Sequence, residues 1–364
     1  MIETTDVKLD RAYWNIVKGI GIFCVIMGHA CMWSQHFIYL FHLQLFFFAS
    51  GYFYSEKKYG EHPFLNVKNK LKSTWKVYVI LYIIVILRHN VLMDLGLQPL
   101  AYSRYSAKDM VWKIFNAILG NGAELMLGPA WFLVTVVQAS VVLGFLIWGT
   151  RWIEKKTRKT WLKLLVQAVV VVSLAAYAYP LVLGQVQWFA DFQYALIVLP
   201  YLWIGYLVRN YIGDIRRFLH PVLGLLCVLI VYKVSTYEWV DITIGHLFPY
   251  MHFVAVFGIY MCLCFAQMIQ KIPHMNRLTE FMGEHSMAIM IVHFPLLRLM
   301  DKFIAVFIYG DPTGELFNHI PVAFEQLWPI YMVVDVPLTL LVVWVWVKIQ
   351  NIYKRKRISR DGSS

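Results

Sequence analysis

The 364-residue chain reads as an all-α polytopic membrane protein of about ten transmembrane helices with both termini cytoplasmic. Three observations carry that reading. Sixty per cent of the residues are hydrophobic and only 15% are charged, against about 25% charged in soluble domains. The apolar residues gather in runs close to the ~20 that a helix needs to cross the hydrocarbon core of a bilayer. Lys and Arg collect in alternate connecting segments, the pattern that orients membrane helices. A soluble globular enzyme, a disordered chain and a secreted disulfide scaffold are excluded by this composition.

Taken in order, the first run covers 13–33. Asn15, Lys18 and His29 interrupt it and no small-residue cleavage site follows, so it is expected to be a span and not a signal peptide. The aromatic run 37–54 comes next, with an outside turn expected near Ser34, Gln35 and His36. The third run, 71–91, follows a stretch with six Lys between Lys57 and Lys76. Residues 110–127 mix Lys113, Asn116, Asn121 and Glu124 with apolar positions. They are expected as an interfacial or re-entrant helix, since an eleventh span would invert everything downstream. Runs 129–148, 162–183, 192–208, 222–237, 247–269, 287–308 and 327–347 complete the set. Residues 1–350 form one transmembrane domain and 351–364 a basic cytoplasmic tail.

The charges agree with this order. The segments placed inside hold 24 Lys and Arg, whereas the outer loops proper hold only Arg104 and Lys108. The net charge of +12 therefore reports topology, and no nucleic-acid partner is expected. Cys24, Cys31, Cys227, Cys262 and Cys264 all lie inside apolar runs, where they serve as small hydrophobes. Cys262 and Cys264 lack a second ligand pair at metal-site spacing, so no metal site is expected.

Ionisable groups inside lipid are expensive and mark function. His29 and His42 lie six or seven residues on either side of the first turn, about 10 Å below the outer surface. Two imidazoles at one depth on adjacent helices suit a shared pocket, or else two structural histidines. Lys18 precedes His29 by eleven residues, which is three helical turns and a rise of about 16 Å on one face. A charge near the cytoplasmic mouth and a base deep on the same wall fit a long ligand with an anionic head and a reactive tail. Acyl-coenzyme A has that shape. His293 lies two turns into the ninth run. Asp335 is near the depth of the histidines, where it either orients one, pairs with a cation, or is structural. Asp301 is expected to pair with Arg298 or Lys302, and Arg88 and His89 to sit at the outer mouth.

The string from Lys18-Gly19-Ile20-Gly21-Ile22 to Gly28-His29 resembles the opening helix of the acyltransferase family 3 membrane proteins, and most of all their fucose 4-O-acetylase branch. Phe41-His42-Leu43-Gln44-Leu45-Phe46-Phe47-Phe48-Ala49-Ser50-Gly51-Tyr52 is similar to that family's second-span motif. Gly128-Pro129-Ala130-Trp131-Phe132-Leu133 resembles its Trp-Phe-Leu segment, and Gly283-Glu284-His285-Ser286, running to His293, its Gly-x-x-Ser stretch. The landmarks fall in family order along nearly the whole chain. Asn15, Gln44 and Val77 depart from the family's usual Asp, Pro and Pro, and Lys70, Lys72 and Lys76 loosely echo its arginines.

The resemblance implies transfer of an acyl group, usually acetyl, from cytoplasmic acyl-CoA (acetyl-CoA) to a hydroxyl of an extracytoplasmic glycan or lipid-linked sugar, in the plasma membrane and in contact with membrane lipid. Residue by residue it implies catalytic roles for His29, His42 and His293, and donor binding by Lys18, Lys72 and Lys76. The competing expectation is a multi-pass transporter or exporter of a small polar metabolite, which needs no coenzyme A site.

Overall fold

The computed structural model describes residues 2–98, 102–237, 250–311 and 325–361, and among them every regular element is helical. In chain order these are α1 (Ile2–Ala30), α2 (Met32–Ile38), α3 (His42–Tyr52), α4 (Glu56–Tyr59), α5 (Pro63–Lys70), α6 (Lys76–Asp94), α7 (Ala107–Ile118), α8 (Trp131–Thr157) and α9 (Thr160–Leu183). Then come α10 (Phe192–Ile197), α11 (Leu199–Leu207), α12 (Pro221–Ser235), α13 (Tyr250–Ile269), α14 (Met275–Glu284), α15 (Ser286–Phe307) and α16 (Trp328–Asp361).

Among the described residues, five stretches are long and apolar enough to cross a membrane: Pro63–Asp94, Leu125–Thr157, Thr160–Leu183, Tyr250–Ile269 and Trp328–Tyr353. A sixth is bent by 47° between Phe189–Ile197 and Leu199–Ile212. The other expected spans fall short for local reasons. α1 is diluted by Asn15, Lys18 and His29, and α15 by Arg298, Asp301 and Lys302. α3 has 11 residues and α12 has 15. The second run is broken at 39–41, and the turn expected at Ser34, Gln35 and His36 is instead inside α2. α16 continues past the expected tail boundary to Asp361. Residues 247–249 of the eighth run and 362–364 of the tail lie outside the described residues.

α1 is the centre of the bundle, with α3, α13, α14 and α15 packed around it. Two crossings bring backbones into contact. A Cβ at Gly283 would stand 1.6 Å from Asn15 O, and one at Gly19 2.0 Å from Thr279 O, so α1 and α14 touch main chain to main chain. Gly51 and Gly205 do the same for α3 and α11, with clashes at 1.8 Å and 2.0 Å. Helices in lipid gain little from apolar burial against each other and rely on such close packing.

The segment 107–130 enters and leaves on the same side. α7 runs back along α6: Asn90 Nδ2 donates to Tyr105 O (2.9 Å) at one end, and Trp75 Nε1 donates to Ile118 O (3.2 Å) at the other. A capping box at Ser106 and Asp109 starts α7. Val111, Trp112, Phe115 and Ile118 are exposed along its outer face. The chain then returns through a 3-10 turn, Leu125–Ala130, into α8. The segment was expected to be interfacial or re-entrant, and the structure shows it folded back along α6 with one apolar face exposed. His89, expected at the mouth, is fully buried between Glu124 Oε2 (3.1 Å) and Ser103 O (3.2 Å) and lies flat on Tyr105. Asp301 pairs with Arg298 (3.2 Å) and accepts from Tyr331 OH, all three buried.

Candidate active site

A cavity of about 560 Å³ runs along one face of α1. Lys18, Ile22, Val25 and His29 line it at the i, i+4, i+7, i+11 spacing of a single helical face. α3 contributes His42, Leu43, Phe46, Ala49 and Ser50, again one face, and Phe53 follows at its C-cap. α8 closes the opposite wall with Trp131, Phe132, Val136 and Ser140, and α15 adds Ser286, Met287 and Met290.

The Lys18 end is polar. Tyr54, Tyr59, Asn66, Asn69, Lys70, Ser73 and Thr74 line it. Asn66 donates to Ser140 O (2.9 Å) and Asn69 to Tyr59 OH (3.1 Å), which fixes α5 against its neighbours. Tyr54 OH and Ser140 Oγ are buried without a hydrogen-bond partner among the described residues. A π-helical turn, Leu71–Trp75, joins α5 to α6. The extra residue per turn re-aims side chains, a device common at functional sites. Lys70 lines the cavity, while Lys72 and Lys76 project into a separate shallow groove beside Phe64 and Leu71. Lys18 and Lys70 make no hydrogen bond or ion pair among the described residues; the nearby Glu284 is paired with Arg11 (3.5 Å). Both lysines line the one cavity.

The other end holds the histidines. His29 Nδ1 lies 3.0 Å from His293 Nε2. The rings are within 7° of parallel with centroids 5.2 Å apart, as an in-plane N–H···N bond requires. Phe294 meets His29 edge to face at 5.4 Å. His293, fully buried, has its Nδ1 3.0 Å from Ile289 O. A carbonyl only accepts, so His293 carries its proton on Nδ1 and, when neutral, offers Nε2 as an acceptor. His29 Nδ1–H therefore donates to it, which leaves His29 Nε2 with a free lone pair. His42 bonds its own turn instead, with Nδ1 2.9 Å from Ile38 O. It lines the same cavity as His29 but does not orient it. Tyr39 connects the two: its ring centroid is 5.0 Å from that of His42, and its OH donates to Gly28 O (3.3 Å).

The structure thus brings Lys18, His29 and His42 to one cavity, with His293 directly behind His29, and leaves Lys72 and Lys76 outside it. Asp335 is buried on α16, one turn before Thr339, and makes no hydrogen bond to a histidine and no ion pair with a cation among the described residues. The cavity's own lysine on α5 was legible in one signal: Asn66, Asn69, Lys70 and Ser73 follow the i, i+3, i+4, i+7 spacing of a polar helical face. Among the described residues no three His, Cys, Asp or Glu side chains converge as metal ligands.

A comparison with known families gives a match over most of the chain. The family model described as an acyltransferase domain matches residues 11–347, from the start of the bundle into α16. No curated protein and no solved structure matches the chain.

Proposed function

The chain belongs to acyltransferase family 3 and is a membrane acyltransferase, and from that premise we propose that it moves an acetyl group from cytoplasmic acetyl-CoA to a hydroxyl of an extracytoplasmic glycan or lipid-linked sugar, as an enzyme of the fucose 4-O-acetylase type in the plasma membrane. In this reading the bundle crosses the membrane ten times with both termini inside. The observation that carries it is the α1 stripe, which joins unpaired Lys18 to His29 along one cavity. The coenzyme's phosphates meet Lys18 and Lys70, and its pantetheine arm follows Ile22 and Val25 upward over the rise of about 16 Å.

At the histidine end, His29 Nε2 takes the proton of the attacking hydroxyl as general base. The hydroxyl oxygen forms the ester bond to the acetyl carbon, the carbon–sulfur bond breaks, and the proton passes to the coenzyme sulfur. His293 accepts from His29 Nδ1–H throughout and steadies the imidazolium as it forms. His293 is a positioning residue, because His29 stands between it and the cavity.

The test is thiol release from acetyl-CoA by the purified protein in detergent, with wild type and Lys18→Ala compared across donor concentration. Wild-type turnover with a raised donor KM in the variant supports the reading, and a protein that never consumes acetyl-CoA refutes it.

A further inference from the structure

Resting on the acyl-transfer reading, we infer that the acceptor is held as a vicinal diol, its reacting hydroxyl on His29 and the adjacent hydroxyl on His42. The bond from His42 Nδ1–H to Ile38 O leaves His42 Nε2, in the neutral ring, as a bare acceptor. His29 Nε2 reaches the same state through His293. His29 is the penultimate residue of α1 and His42 the first of α3, two helices packed on each other, so both rings line the same end of the cavity. Tyr39, in contact with both neighbourhoods, fixes their relative placement.

Two lone pairs in one cavity select for donors. The thioester carbonyl is itself an acceptor and gains nothing from His42, so His42 faces the incoming molecule and not the donor. A carboxylate at this place would meet two lone pairs. An ammonium would have to shed its water against Leu43, Phe46 and Met290, which is costly. Neighbouring hydroxyls supply two O–H groups without charge. His29 removes the proton of one, and His42 accepts from the other and thereby decides which of the two becomes the ester. No bond is made or broken at His42.

Small nucleophiles test this without knowledge of the natural acceptor. Purified protein is given acetyl-CoA with 1,2-propanediol, 1-propanol or 1-amino-2-propanol, and the products are quantified by mass spectrometry. Wild type is expected to form the diol ester at least about tenfold faster than the mono-alcohol ester, the worth of one hydrogen bond in a buried site. In His42→Ala the ratio is expected to fall to near one through a raised KM for the diol. His42→Gln, whose side-chain oxygen occupies the place of Nε2, is expected to recover most of it. Equal rates for diol and mono-alcohol in wild type, which requires no variant to fold, overturn the inference. So does an equal loss of kcat on both alcohols in His42→Ala, or predominant amide from the amino alcohol. If wild type consumes no acetyl-CoA under any of these conditions, the acyl-transfer reading fails first and this inference falls with it.

Discussion

His29 Nδ1 and His293 Nε2 share a 3.0 Å hydrogen bond across 264 residues of chain. Because Ile289 O fixes the proton of His293, this single contact determines which nitrogen of His29 is free to act.

Removing His29 is expected to remove catalysis. Loss of a general base typically costs about 10²–10⁴-fold, so His29→Ala should fall to background in thiol release while the protein remains monodisperse in detergent. Retention of more than about a tenth of wild-type turnover would show that His29 is not the base.

His293 should behave as a positioning residue. His293→Ala is expected to lower kcat by roughly 10–100-fold, less than loss of the base itself, with donor KM little changed. His293→Gln places an amide oxygen near the lost Nε2 and should recover most of the rate. A Gln variant no better than Ala would mean that the contact packs the helix and does not set the tautomer.

The lysines separate by location. Lys18→Ala and Lys70→Ala should each raise the donor KM, and the wild-type KM should itself rise with salt as phosphate contacts are screened. Lys72→Ala and Lys76→Ala, altering side chains in the outer groove, should have the smaller effect. Donor titrations at low and high salt across the four variants decide it.

At the α1–α14 crossing, Gly283→Ala puts a methyl group 1.6 Å from Asn15 O and forces the helices apart. Overpacking of this kind costs about 1–3 kcal/mol. The variant should show a lower Tm in detergent than wild type, and an unchanged Tm would refute the close contact.

These expectations draw unequally on sequence. The alignment of Lys18 with His29 was legible because eleven residues make three turns of one helix, and the cavity follows that face. The residue behind His29 was not legible from spacing, since nothing local links position 29 to position 293. The lysines of the third run were misplaced for a different reason. They were grouped as one cluster of charge, whereas at about 100° per residue Lys72 and Lys76 lie on the side of the helix away from Lys70 and its polar neighbours Asn66 and Asn69. The break at 39–41 was hidden in a run that is apolar throughout, because hydropathy measures partition into lipid and not helix continuity. Residues 110–127 announced themselves by their polar residues, yet only the contacts at Asn90 and Trp75 show the path they take.

The glycine crossings fix where α1 stands while lying off the cavity, which neither Gly19 nor Gly283 lines. Gly19 and Gly283 bring α1 against backbone atoms of its neighbour, and no rotamer change relieves a clash with a carbonyl. Libraries aimed at new donors or bulkier acyl groups should therefore leave Gly19 and Gly283 alone. They should be directed at α5 and the opposing face of α8, where Asn69, Lys70, Phe132 and Val136 meet the cavity through side chains.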